Sequence, residues 1–246
     1  MRPRTRSLFS RGVPSPRFPA RASPKQVESR AFPPRDARGA HHIGGESSGA
    51  PPARRGDVVR LAVCISGSGR TLANLHQVIQ AGDIDASIVL VIASRECPGA
   101  ERARALGLET LILPGEIPKT RLQTLLRDHR VDLVVLAGYL RRVPIPEGFR
   151  GRIVNIHPAL LPRFGGPGMY GHHVHEAVLR AGEHVSGCTV HLCDEEYDQG
   201  EILLQRTCPV LPGDDAQTLG SRVFSLECEA YPEALRMLVA RLNSAE

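Results

Sequence analysis

Residues 151–163 read Gly-Arg-Ile-Val-Asn-Ile-His-Pro-Ala-Leu-Leu-Pro-Arg, with Asn155 and His157 two positions apart. A carboxamide donates hydrogen bonds without changing charge, and an imidazole can hold or release a proton near neutrality. Side by side on one rigid element, they suit a reaction that builds negative charge on a carbonyl oxygen, as acyl transfer does. Two other stretches add to this chemistry. Ser66-Gly67-Ser68-Gly69-Arg70-Thr71 places glycines where backbone amides can approach an anion at a helix start. Asp194-Glu195-Glu196-Tyr197-Asp198-Gln199-Gly200 gathers carboxylates in a turn. Each has a plainer reading: a buried Asn and His satisfying backbone groups, a tight turn capped by Ser68 or Arg70, and a solvated acidic loop. A dinucleotide fingerprint is not met, because Leu72 stands where a third glycine is due. His172, His173, His175, His184 and His191 invite a metal reading, but they lack zinc-ligand spacing on a helix and a completing carboxylate, so no metal is expected.

The positioning elements follow from the hydrophobic pattern. Ile153, Val154 and Ile156 make a buried strand, on which a period of two sets Asn155 and His157 on one face. Pro158 ends it, leaving both side chains at its carboxyl end, the edge where open α/β sheets bind ligands. Upstream, strands are predicted at Val58 to Ile65, Ser87 to Ala93, Thr110 to Leu113 and Leu133 to Ala137. Helices alternate with them at Thr71 to Ala81, Gly99 to Leu106 and Lys119 to His129, so the sheet is parallel and covered on both faces. Downstream come a glycine-rich loop, a helix from His173 to Ala181, and runs Gly187 to Cys193 and Glu201 to Val210. With no helix between them, those two strands are expected to be antiparallel. A last helix spans Asp215 to Leu242, with a break expected near Pro232. The fold class is α/β: a Rossmann-like, mostly parallel sheet with helices on both faces and an antiparallel C-terminal extension.

The chain's 246 residues are 41% hydrophobic and 23% charged, ordinary for a globular protein. Residues 1–58 hold 12 Arg or Lys against 4 Asp or Glu, a net of +8, leaving −3 for the rest of a +5 total. The pI near 9.1 therefore belongs to the first segment, and no nucleic-acid groove is expected in the rest. Residues 1–57 carry nine of the 20 prolines and no sustained periodicity, and read as a disordered basic tail preceding a domain at 58–246. Arg-rich and acid-free until Glu28, the tail also has the texture of an organellar transit peptide, set against the plainer readings of a non-functional extension or an upstream misassigned start codon. No apolar run reaches the roughly 20 residues that span a bilayer. Six scattered cysteines without Cys-x-x-Cys suit reduced thiols in a cytoplasmic protein.

From Asn155 through Pro162, with an aspartate further on, the sequence resembles the folate-dependent formyltransferases, whose signature is Asn-x-His-Pro-Ser-Leu-Leu-Pro; Ala159 stands in place of the usual Ser. The resemblance covers about 185 residues, Val58 to Leu242. It implies that 10-formyltetrahydrofolate gives its formyl group, without metal, to the amine of glycinamide ribonucleotide in purine synthesis. Asn155, protonated His157 and Asp198 would be catalytic. Gly69, Arg70, Thr71 and Glu227 would hold the phosphate and ribose, though Arg70 and Thr71 replace the family's Ser and Asn. On sequence alone Glu227 is an ordinary surface helix residue. Leu140, Arg141, Arg142 and Val143 would wall a folate pocket with Asn155, Asp194, Glu195, Glu196, Tyr197 and Asp198, and Lys119 is a candidate for the folate's glutamate end. The expected partners are these small molecules, in a monomer or homodimer. The alternatives are a sugar-nucleotide or tRNA acceptor, the latter calling for a further C-terminal domain after Glu246, or a non-catalytic nucleotide-binding module.

Overall fold

The computed structural model describes residues 58–244. The basic segment 1–57 and the last two residues lie outside them. In chain order the elements are β1 (Val59–Ile65), α1 (Arg70–Gln80), β2 (Ala86–Ala93), α2 (Pro98–Ala105), β3 (Thr110–Ile112), α3 (Lys119–Asp128), β4 (Leu133–Leu136), β5 (Ile153–His157), α4 (His172–Arg180), β6 (Val185–Leu192), β7 (Ile202–Pro209) and α5 (Ala216–Ser244). Their bounds fall within two residues of those expected from periodicity.

The strands form one sheet in the order β3-β2-β1-β4-β5-β6-β7. Pairs from β3 to β5 are parallel, and both β5–β6 and β6–β7 are antiparallel. Alternation sorts the side chains between two cores. Val59, Leu61, Val63 and Ile65 of β1 pack with α1, α2, α4 and α5. Ala62 and Cys64 face the other way, with Leu122 and Leu126 of α3 and with Tyr139, Ile145 and Phe149 of the β4–β5 connection. That second face is thinly covered. Ile153 belongs to it, while Val154 and Ile156 belong to the first, so the period of two carries Asn155 and His157 along the thinly covered face toward the carboxyl edge.

The expected break in the last helix is not there: α5 runs through Pro232. Proline removes the N–H that would have served the carbonyl of Cys228, four residues back. The Nδ2 of Asn74 on α1 donates to that carbonyl at 3.0 Å instead. All six cysteines are free, four of them buried.

Candidate active site

The glycine loop and the start of the β4–β5 connection meet at the switch point of the sheet, where β1 adjoins both β2 and β4. Gly69 caps α1 in the left-handed region with no side-chain cap, so neither Ser68 nor Arg70 plays that part. A Cβ on Gly69 would lie 2.6 Å from Gly99 Cα, and one on Gly99 would lie 2.7 Å from the Gly67 carbonyl oxygen. The loop is thus pressed backbone to backbone on the start of α2, an approach that only glycine at both positions permits. Ser66 ties the loop to the opposite wall, its Oγ accepting from the Leu140 N–H at 3.0 Å and from Ser94 Oγ at 2.7 Å. Arg70 lays its guanidinium over the Phe224 ring, 4.0 Å from the centroid.

Beyond Pro158 the loop is latched from behind. Thr189 Oγ1, fully buried, donates to the Ala159 carbonyl at 2.6 Å and accepts from the Leu161 N–H at 3.0 Å. The loop then returns to the end of β5, where His157 Nε2 donates to the Phe164 carbonyl at 2.8 Å. That bond occupies Nε2 and leaves Nδ1 as the nitrogen free to exchange a proton. Asp198 stands on the Nδ1 side, its Oδ2 3.6 Å away. The aspartate is itself held: Oδ2 accepts from the Gly166 N–H at 2.8 Å, Oδ1 lies 3.5 Å from His191 Nε2, and its backbone takes φ of 57°.

Opposing influences set the charges here. Burial pushes the His157 ring below its ordinary value, and the nearby Asp198 charge and the Phe164 hydrogen bond offset only part of that. The resting ring is therefore biased to the neutral form, and Asp198 favours its protonated form. Burial alone would raise Asp198, but the adjacent His191 ring, the Gly166 N–H and His157 outweigh it and hold the carboxyl below its usual range. Glu227 is half-buried rather than a surface residue; burial raises its carboxyl to about 7 against the pull of Arg70.

These groups open into one cleft of about 500 Å³. Its lining includes Gly69, Arg70, Thr71 and Glu227 at one end. Leu140, Arg141, Arg142 and Val143 with Asp194, Glu195, Glu196, Tyr197 and Asp198 also line it, as do Asn155 and His157. Arg142 donates to the Glu195 carbonyl at 2.6 Å, joining the Leu140–Val143 and Asp194–Asp198 segments. Lys119 does not reach this cleft; it lines an adjoining hollow that shares Glu195 with it.

A glycine loop, two wall segments and an amide, an imidazole and a carboxylate on one cleft can move an acyl group between two bound molecules. Residues 59–235 match the family model described as formyl transferase. The chain belongs to the formyl transferase family. Among relatives, a chloroplastic phosphoribosylglycinamide formyltransferase of Arabidopsis thaliana is 40% identical over 186 residues, 72% of this chain and 64% of that protein. The trifunctional purine biosynthetic protein adenosine-3 of Drosophila melanogaster is 41% identical over 191 residues, 73% of this chain and 14% of that protein. This chain thus spans less than two thirds of either relative's length. The crystal structure of glycinamide ribonucleotide transformylase 1 from Symbiobacterium toebii superposes with a TM-score of 0.69 at 37% identity, covering 76% of this chain and 90% of that one.

Sequence reasoning gave His191 no part in the reaction, yet it stands between Asn155 and Asp198. The signal was present: Thr189 and His191 alternate with Val190, so one face of β6 is polar. His175 was weighed only as a metal ligand; it lines the cleft, where burial lowers its ring below the usual value. The histidine reading also needs an amendment. Glu176 does bring a carboxylate within 4.8 Å of ligand atoms of His172 and His173, in an exposed cluster at the start of α4.

Proposed function

We propose that the chain transfers the formyl group of 10-formyltetrahydrofolate to the amine of 5-phosphoribosylglycinamide, giving the formylated ribonucleotide and tetrahydrofolate in purine synthesis. The observation that carries this reading is the meeting of Asn155, His157 and Asp198 in one cleft that the Gly67–Thr71 loop also lines. The names of the relatives support the same acceptor.

The neutral amine attacks the formyl carbon, forming a C–N bond and moving the carbonyl electron pair onto oxygen. Asn155 Nδ2 donates to that oxyanion. His157 Nδ1 takes the proton from the new ammonium and passes it to the folate nitrogen, whose bond to carbon breaks as the carbonyl reforms. Asp198 stabilises the imidazolium while it lasts. The loop amides near Gly69 and the Arg70 guanidinium bind the phosphate dianion. Glu227, its carboxyl raised by burial to about 7, can accept from a ribose hydroxyl when ionised and donate to one when protonated. The folate ring lies along Leu140–Val143 and the Asp194–Asp198 loop, with Lys119 offered to its glutamate end. No step calls for a metal. Free thiols throughout support a reducing setting, either the cytoplasm or an organelle addressed by residues 1–57.

The test is an absorbance assay of formyl-folate consumption with alternative acceptors. Turnover with glycinamide ribonucleotide and none with an amino-sugar nucleotide is the expected result. Tight ligand binding without turnover would instead mark a non-catalytic binding module.

A further inference from the structure

The reaction just described leaves a buried ring at its centre without a task. His191 is 1% exposed, lines the cleft and pairs directly with Asn155 across β5 and β6. Its Nδ1 lies 3.0 Å from the Leu192 carbonyl oxygen. A carbonyl oxygen only accepts, so Nδ1 carries the proton, and in the neutral ring Nε2 is a lone pair. That lone pair is 3.2 Å from Asn155 Nδ2 and accepts one of its hydrogens. With the amide turned over, Oδ1 would set its lone pairs against that of Nε2, so the tautomer of His191 selects the orientation of Asn155.

We infer that His191 is a positioning residue for formyl transfer: it locks the Asn155 amide with its NH₂ group on the His191 side, leaving the second N–H for the oxyanion. The same tautomer settles a competition for Asp198. His191 Nε2 is 3.5 Å from Asp198 Oδ1, and His157 Nδ1 is 3.6 Å from Oδ2. A proton on Nε2 would turn His191 toward the carboxylate, release the amide and draw the negative charge away from His157. A neutral His191 leaves that charge to the ring that must carry a proton. Thr189, the next residue on the same face of β6, latches the loop beyond β5, so neighbouring positions of one strand set both the strand end and the amide upon it.

The inference rests on the formyl-transfer reading, and a four-protein cycle tests it: wild type, His191→Leu, Asn155→Ala and the double variant. His191→Leu is expected to lower kcat by about 10- to 100-fold, part of the 10² to 10³ that losing an oxyanion donor costs. The KM for formyl folate should stay within about threefold, since ground-state binding is untouched. The double variant is expected to be no slower than Asn155→Ala alone. His191→Gln, whose Oε1 can accept the same N–H, should regain most of the loss. Multiplying defects in the double variant, or Gln no better than Leu, would overturn the proposal. A second measurement needs neither turnover nor a variant. Nitrogen NMR of the labelled wild-type imidazole should show protonated Nδ1 and bare Nε2 at neutral pH, and a protonated Nε2 would overturn the assignment. A wild type without formyl transfer but with that tautomer would sink the proposed function and leave the ring's assignment standing.

Discussion

At His157 the balance lies between burial, which disfavours the imidazolium, and Asp198, which favours it. The net direction is downward, so the ring rests neutral over more of the acid range than a free histidine does. If the neutral ring receives the proton of the attacking amine, kcat falls as pH drops through the lowered value. Replacing Asp198 with Asn removes an influence that raises the ring, so the acid limb should move to lower pH while the plateau falls. A kcat profile measured with the acceptor saturating checks the sign, and a limb moving to higher pH would contradict it. Asn155, His157 and Asp198 were legible in the sequence because strand periodicity and a proline stop place the first two and an ordered motif places the third. His191 was not, because its task depends on the β5–β6 register that sets it opposite Asn155, and register between strands some 35 residues apart is invisible to local pattern. The resting charge of His157 was not legible for a related reason: the partner charge can be read from a motif, but the extent of burial cannot.

The elements show the same limit. Helix and strand bounds came within two residues because α1 and β1 carry the period their environments demand. Pro232 was read locally as a break, and the donor that prevents one lies on another helix, 154 residues away in sequence. Asn74→Ala leaves the Cys228 carbonyl without that donor in a partly buried site, at a cost of about 1 kcal/mol or somewhat more. Urea unfolding should show this as a lower midpoint with an unchanged slope. An unchanged midpoint would mean that water replaces the amide. Further along α5 the Tyr231 hydroxyl sits 3.0 Å from the carbonyl oxygens of Leu136 and Val154. The helix is thereby seated against the carboxyl end of β4 and the start of β5, the strand that carries Asn155 and His157.

Across the whole molecule, the arrangement follows from where the sheet changes character. Strands β1 to β5 are parallel and end together, which collects the glycine loop, the Leu140 segment and His157 at one rim. The antiparallel β6 then returns beside β5 and lays His191 and Thr189 on the same face. Among the described residues that face is covered chiefly by α3 and the β4–β5 connection, and the cleft opens where their cover stops. Every group assigned a role in the proposed reaction lies within residues 66–227, clear of the basic first segment whose charge dominates the pI. The central claim is that an amide and an imidazole at the end of β5 perform the chemistry rather than hold the fold. The most direct test is kcat for formyl transfer by Asn155→Ala and His157→Ala, with binding of both substrates followed separately. The account predicts a loss of about 10² to 10³ in each variant with substrate affinities and unfolding midpoints near those of the wild type; turnover within a few-fold of the wild type would contradict it.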